Sequence, residues 1–401
     1  MSFFTTEEIR GGHEIDKSNI DLHKYLITED SDLKKLLINK KNVLLIEPNY
    51  SRKYLPIGLS KIASFIKQQG GTATFSRNHI KGHNFDCVCI TSVFTYDSDI
   101  VLKTIERSRS YYKNIPIIIG GIFATLMPEY IINSLSNTKN VFVFKGCSDF
   151  LDNTPADYSL DWKLKKPWDN FSYLFTTRGC PNNCGYCAVR KIEPEMKIIP
   201  NWKDQISLDK KYVMVRDNNF SAQPKSHIKQ VTDYLSLIRK PVDMNGGVDC
   251  KLITPFFAKR MGKLMYYKTG LKIAFDRIAE DGIFQNAVAL LNKYGVSKHN
   301  MMGYVLFNFN DSPAEADYRA RTCEQLGLLP YPQRFVPLNY STKLDTSFVG
   351  KKWSDALARA FRNYWLVPGI FKGISFKDYL IQIKKQKKFK ITDADIDLFN
   401  Q

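Results

Sequence analysis

The sequence predicts an α/β protein: an N-terminal doubly wound parallel-sheet domain, a partial (β/α)6 barrel of the TIM type, and a helical, basic C-terminal region. Three observations predict it. Short, almost purely apolar runs alternate with stretches of helical spacing, the pattern of parallel sheets covered on both faces. An Asp-, Pro- and Trp-rich stretch without periodicity, 151–170, divides the series in two. After residue 345 the strand pattern stops and a basic, aromatic, helix-like pattern takes over.

Taken in order, residues 1–40 read as a polar extension with one weak helical stretch at Leu33–Leu37. The first domain spans 41–150. Val43–Ile46 is a strand ending at Glu47-Pro48-Asn49, and Leu59–Gln69 is a helix stopped by Gly70-Gly71. The strand Cys87–Ile90, a helix over Asp99–Tyr112, and strands at Ile115–Ile119 and Val141–Phe144 continue the series. In such sheets ligands bind at the carboxyl ends of the strands, here Pro48-Asn49-Tyr50, Thr91-Ser92 and Gly120-Gly121. The second domain, 171–345, carries strands at Tyr173–Thr176, Tyr212–Val215, Val242–Asn245, Lys272–Phe275, Met301–Phe307 and Gln333–Pro337, with helices such as Ala279–Tyr294 and Ser312–Leu326 between them.

The 401 residues are 44% hydrophobic and 13% aromatic, which excludes wholesale disorder. No apolar run is long enough to cross a bilayer. Two acids and one Arg in Met1–Gly12 are unlike a secretory signal, so the expected location is the cytoplasm, with no membrane partner. Lys and Arg number 58 against 40 Asp and Glu, an excess of +18 that suits a polyanionic partner. Half of that excess lies between Gly350 and Lys390, where 11 Lys/Arg meet 2 Asp.

Three of the eight cysteines fall in Arg178-Gly179-Cys180-Pro181-Asn182-Asn183-Cys184-Gly185-Tyr186-Cys187, directly after the first barrel strand. The spacing is C-x3-C-x2-C. Three thiolates on one loop can ligate three irons of a [4Fe–4S] cube and leave the fourth open for a substrate or cosubstrate. A structural zinc needs a fourth ligand, and no His lies between His83 and His227.

This loop resembles the radical S-adenosylmethionine (SAM) superfamily, whose hallmark is C-x3-C-x-aromatic-C, with Tyr186 at the aromatic position. The resemblance implies that Cys180, Cys184 and Cys187 hold the cluster, that its open iron binds SAM, and that reductive cleavage yields a 5′-deoxyadenosyl radical. It also implies an external electron donor of flavodoxin or ferredoxin type. SAM contacts are implied at the ends of the following strands: Asp217 and Asn219 in Arg216–Phe220, Asn245 in Asn245–Asp249, Asp276 in Ala274–Arg277, and Val305 in the strand that flanks the adenine. Ordinary loop caps are the bland alternative for Asp217, Asn219, Asn245 and Asp276. Tyr304, Asn308 and Asn310 near the barrel mouth are further candidates, and no catalytic residue is assigned.

The first domain looks like the cobalamin-binding domain that precedes many radical SAM barrels, with Ser92, Gly120 and Gly121 where that fold keeps its nucleotide-loop contacts. The Asp-x-His-x-x-Gly cobalt loop is absent: the chain reads Glu47-Pro48-Asn49-Tyr50-Ser51-Arg52. Cobalamin binding and a degenerate structural or docking role both stay open. A second cluster on Cys87, Cys89 and Cys147 is weighed against buried thiols, and buried thiols are favoured. Cys250 and Cys323 read as core, and His79 and His83 as exposed loop residues.

In the C-terminal region, basic residues alternate with aromatics from Trp353 to Phe389. A solvated helical face whose rings pack on the barrel is preferred to a base-stacking surface. Three functions follow as expectations: a radical SAM enzyme acting on a nucleic acid or nucleotide, by cobalamin-dependent methylation; a cobalamin-independent isomerase or bond-forming enzyme on a small metabolite or peptide; and a non-catalytic basic nucleic-acid-binding protein with a structural metal.

Overall fold

The apolar runs become parallel strands in a computed structural model that describes residues 22–51, 54–80, 84–342 and 347–400. The chain divides into two compact units, and six-stranded parallel sheets occur twice. The first unit comprises Met1–Arg178, Asn182–Lys210 and Leu338–Asp345; the second comprises Gly179–Pro181, Lys211–Pro337 and Thr346–Gln401.

The first sheet contains β1 (Leu26–Ile27), β2 (Asn42–Ile46), β3 (Thr72–Ser76), β4 (Cys87–Thr91), β5 (Ile117–Gly120) and β6 (Val141–Phe144), in the order β1-β6-β5-β4-β2-β3. The order reverses between β2 and β4, the switch point of a doubly wound sheet. Leu44, Ile46, Val88, Ile90, Ile119 and Val143 are at most 1% exposed, as central strands covered on both faces require. Helices α1 (Asp30–Leu37), α2 (Ile57–Gln68), α3 (Ser98–Tyr111), α4 (Ile122–Leu126), α5 (Pro128–Ser134) and α6 (Asp149–Asp152) follow or join the strands. Helix α2 buries Leu59, Ile62, Ala63 and Ile66 on one face. It ends where Gly70, at φ +73°, turns the chain so that the Gly71 amide reaches the Ile66 carbonyl.

Two sequence readings change here. Residues 22–40, read as part of an extension, supply β1, which pairs with β6, and α1, which buries Leu33 and Leu37. The polar extension before residue 22 lies outside the described residues, as does His83. Strand β3 escaped notice because it is an edge strand, and its Thr-Ala-Thr-Phe-Ser side chains are mostly left at the surface. The segment read as a linker is packed into the first unit: Trp162 is 4% exposed, donates to the Asp157 carbonyl at 2.8 Å and meets the Phe75 ring at a tilt, with centroids 4.8 Å apart.

Strand β7 (Phe171–Leu174) belongs to the second sheet. A two-stranded antiparallel ribbon, β8 (Thr177–Arg178) with β9 (Lys197–Ile198), closes the base of the cysteine segment, which includes the short helix α7 (Val189–Ile192). The other five strands of the second sheet lie in the second unit: β10 (Tyr212–Val215), β11 (Val242–Asp249), β12 (Tyr266–Ala274), β13 (Met301–Phe307) and β14 (Leu329–Arg334). They neighbour one another in sequence order, each parallel to the next. Helices α8 (Lys225–Ile238), α9 (Pro255–Met261), α10 (Ile283–Lys293) and α11 (Pro313–Gln325) make the crossovers. Helix α11 starts in a capping box: the Ser312 hydroxyl accepts from the Glu315 amide at 3.2 Å, and the Glu315 carboxylate accepts from the Ser312 amide at 2.7 Å. The last strand begins four residues before the predicted Gln333, because Pro330 and Pro332 disguise it.

The C-terminal region folds into α12 (Asp355–Leu366), α13 (Pro368–Phe371), α14 (Phe376–Lys385) and α15 (Asp393–Asn400). Its rings turn inward: Phe361, Tyr364, Trp365 and Phe376 are at most 1% exposed.

Candidate functional site

The cysteine segment leaves the ribbon through Arg178. Its guanidinium grips Asp152 with two parallel bonds (Nε to Oδ2 at 3.0 Å, Nη2 to Oδ1 at 2.6 Å), reaches Glu193 at 3.0 Å, and lies over the Phe175 ring at 3.5 Å. Burial opposes its charge, yet Asp152 and Glu193 hold the guanidinium above its ordinary pKa. Asp152 also receives the Lys61 ammonium, which donates to its carbonyl at 3.1 Å, and the Gln205 amide at 3.2 Å. Burial pushes Lys61 down to about 8, against the pull of Asp152. This network ties the start of the segment to α2 and α6.

Along the segment, Cys184, Tyr186 and Cys187 are half-buried, and the Cys187 amide donates to the Cys184 carbonyl at 3.0 Å. Gly179, at φ +77°, and the buried Cys180 cluster with the second unit. There the Asn219 side-chain amide lies 3.7 Å from the Cys180 sulfur, an N–H···S contact of the kind that tunes a metal–thiolate centre. Asn219 is itself held: its Oδ1 accepts from Ser221 at 2.7 Å, and Ser221 accepts from the Asp249 amide at 3.0 Å. Cys180 is buried, and Cys184 and Cys187 are half-buried. Among the described residues no three His, Cys, Asp or Glu side chains are grouped as a ready-made metal site. Three cysteines in eight residues, one already receiving an amide N–H, nonetheless have the donor chemistry of an iron–sulfur loop.

The strand ends of the second unit bring several predicted residues together. Asp217 is 1% exposed. A Cβ at Gly246 would stand 1.8 Å from the Asp217 carbonyl oxygen, so glycine allows these two backbones to meet. The glycines do not close β11; the strand bulges through them to Asp249, with Gly247 at φ +85°. Tyr304 donates to the Asn245 carbonyl at 3.5 Å. The Asp276 and Arg277 amides donate to Glu280 at 2.9 and 3.2 Å, and Lys251 bridges Glu280 at 3.2 Å and Asp249 at 3.5 Å.

Val305 is different. On β13, Met301, Gly303, Val305 and Phe307 form the fully buried face, where Gly303 abuts Cys323 of α11 and Phe307 abuts Phe361 of α12. Val305 is therefore a core residue under the helices, and strand alternation turns Tyr304 to the opposite face. Asn308 is also structural: it is fully buried at φ +65°, donates to the Phe335 carbonyl at 3.2 Å and accepts from the Gly350 amide at 3.0 Å. Asn310 is exposed.

Two features escaped the sequence reading. Glu280 had a local signal, an acid positioned to accept the backbone amides at the start of its own turn. The buried ion pair of Asp243 and Lys272 joins β11 to β12. Burial raises the Asp243 carboxyl and lowers the Lys272 ammonium. A single charge flanked by apolar residues in each strand was its signal.

At the switch point of the first sheet, the polar groups are used internally. Ser92 is fully buried; its hydroxyl donates to the Gly120 carbonyl at 3.0 Å and accepts from the Ala124 amide at 3.0 Å. Tyr50, 4% exposed, donates to the Thr91 carbonyl at 3.5 Å and accepts from the Val93 amide at 3.2 Å. Gly121, at φ +111°, lies so close to the Ser92 carbonyl that a Cβ would stand 2.3 Å from it, so it serves packing. Glu47 is buried against Arg77 at 2.7 Å. The predicted hydroxyl contact is thus engaged by backbone groups of its own domain, and the sequence between β2 and α2 carries no His. The thiols of Cys87 and Cys89 are enclosed 3.9 Å apart, and burial pushes Cys147 up to about 11, as for core thiols. His79 is not an exposed loop residue; its Nε2 lies 2.9 Å from the Ser108 hydroxyl and 3.2 Å from the Thr104 carbonyl.

Compared with models of known protein families, the chain matches none. Compared with curated proteins, it likewise matches none.

Proposed function

We propose that this protein is a radical SAM enzyme acting on a nucleic acid or nucleotide. The observation that carries the reading is the segment Cys180–Cys187: three cysteines at C-x3-C-x2-C spacing, with an aromatic residue before the last and the Asn219 amide on the first sulfur. In this reading Cys180, Cys184 and Cys187 hold a [4Fe–4S] cluster. The cluster, when bound, supplies the electron that cleaves SAM to a 5′-deoxyadenosyl radical, and an external flavodoxin- or ferredoxin-type protein reduces it. Asn219 donates to the Cys180 sulfur and draws negative charge from it. Asp217 follows β10, Asn245 lies at the bulge within β11 and Asp276 follows β12; in this reading they would orient the amino, carboxylate and ribose groups of SAM, and Tyr186 would shield the cluster.

The finer fold belongs to this reading. Parallel strands in sequence order suit a (β/α)6 partial barrel, and the order of the first sheet suits a cobalamin-binding-like domain kept for structure or docking. The enclosed Ser92 and Tyr50 favour the cobalamin-independent branch, an isomerase or bond-forming reaction, over methyl transfer through cobalt. The charge excess of +18 favours a phosphate-bearing substrate, and the cytoplasm is the location we infer.

The test is anaerobic reconstitution followed by dithionite and SAM. About four irons per chain, 5′-deoxyadenosine release, and loss of both in Cys180→Ala but not in Cys147→Ser are expected. One zinc in place of iron, or no SAM cleavage by the iron-loaded chain, would overturn the reading in favour of a non-catalytic binding protein.

A further inference from the structure

Helix α14 separates its chemistry by face. Phe376, Tyr379, Leu380 and Ile383 are buried, while Lys377, Ile381 and Lys385 follow one another at four-residue intervals on the exposed side. The helix ends in Lys384-Lys385-Gln386-Lys387-Lys388-Phe389-Lys390, five lysines in seven residues. Lys384 pairs with Asp393. Lys385, Lys387, Lys388 and Lys390 are exposed, and among the described residues none forms an ion pair with a carboxylate. Lys387, Phe389 and Lys390 hold φ values of +54°, +54° and +56°, a left-handed conformation that L-residues adopt at a cost. The fold thus concentrates mutually repelling charges on one turn, and an external anion would relieve that repulsion.

The rings of the helices around the turn face inward and are not available for base stacking. Trp353, Phe361, Tyr364, Trp365, Phe376 and Tyr379 are at most 6% exposed and pack on one another; Phe361 and Phe376, for example, meet edge to face at 5.4 Å. What remains fully exposed on the turn is point charge, with the half-buried Phe389 the one ring among the lysines. A compact acidic protein needs only a local patch of opposite charge, whereas an excess of +18 over the chain attracts an extended polyanion from a distance.

We propose that the lysine turn, with the exposed side of α14 leading to it, is a docking surface for the phosphate backbone of a nucleic acid, held without reading its bases. This rests on the nucleic-acid substrate reading and specifies where and how that substrate is gripped; it does not depend on the cluster.

The experiment measures anisotropy of fluorescein-labelled 20-nucleotide oligo-U and oligo-A with the full chain, from 50 to 300 mM salt. The variants are Lys385, Lys387, Lys388 and Lys390 all to Gln, and the same four all to Arg. Wild type should bind both oligomers equally, with a log–log salt slope that includes roughly −0.7 for each phosphate neutralised. The Gln variant should lose most of that slope, by about 3 for four lysines, and bind roughly tenfold or more weakly at low salt. The Arg variant should retain binding and the wild-type melting temperature, and the Gln variant should melt no lower than wild type. An unchanged slope in the Gln variant would overturn the docking surface and leave a nucleic-acid substrate standing. No binding by wild type, or binding only to an acidic protein or an anionic vesicle, would overturn both. Release of 5′-deoxyadenosine, measured separately, reports on the radical reading alone.

Discussion

Arg178 joins Asp152, Glu193 and Phe175 in one contact set at the entrance to the cysteine segment. Lys cannot reproduce its planar two-bond grip. Arg178→Lys should therefore lower iron retention after reconstitution several-fold and reduce the melting temperature, because breaking a buried pair by one partner costs about 3–5 kcal/mol. Iron per chain and a thermal melt check this; full iron retention would show that the segment does not need the anchor. The neighbours on β13 separate in the opposite way. Val305→Ala removes buried methyls and should cost about 2 kcal/mol while leaving SAM affinity unchanged. On the proposed function, Tyr304→Phe, which removes the hydrogen bond to the Asn245 carbonyl, should leave stability nearly intact and weaken SAM binding by loosening Asn245. Equilibrium SAM binding and a denaturant melt on both variants distinguish core from site. Sequence alone could place both residues on one strand, but which of the two faced the helices was decided by the register of β13 with its neighbours.

Between elements, the decisive contacts are backbone approaches and buried charges. At Gly246 an added Cβ would collide with the Asp217 carbonyl, so Gly246→Ala should force the ends of β10 and β11 apart. A fall in melting temperature together with lost SAM binding is expected; a variant with unchanged melting would show that the strands can part freely. Helices α11 and α12 meet where Trp365 donates to Asp317 at 3.0 Å and Arg321 lies over the Trp365 ring at 4.6 Å. Burial raises the Asp317 carboxyl from 3.8 to about 6, against the pull of Arg321. A carboxyl whose folded pKa is raised binds more protons folded than unfolded across that window. Its contribution therefore favours folding below pH 4, and it is lost as pH rises from about 4 to 6. Asp317→Asn keeps the acceptor for Trp365 and removes the titration. It should raise the melting temperature at pH 7 relative to wild type and flatten the wild-type profile between pH 4 and 6. These pairs were only partly legible beforehand: the capping acid Glu280 is local in sequence, whereas Asp317 and Trp365 lie 48 residues apart.

For the whole molecule, the charge excess of +18 predicts that the chain purifies with bound nucleic acid at low salt and sheds it at high salt. The ratio of absorbance at 260 and 280 nm before and after a high-salt wash checks this; a protein-like ratio throughout would count against a polyanionic partner. The sequence by itself determined the α/β class, most central strands and the crowding of three cysteines, because continuous apolar runs, turn residues and short spacings are local properties. It also determined the basic character of the C-terminal region. Tertiary structure decided the rest. Whether residues 22–40 and 151–170 are appendages or packed parts of the first unit depends on pairing and burial that no local pattern carries. The same holds for the turning inward of the C-terminal rings and for the enclosure of Ser92 by Gly120 and Ala124. A hydroxyl at a strand end has the same composition whether it faces a ligand or a neighbouring carbonyl, and only the approach of a distant backbone determines which.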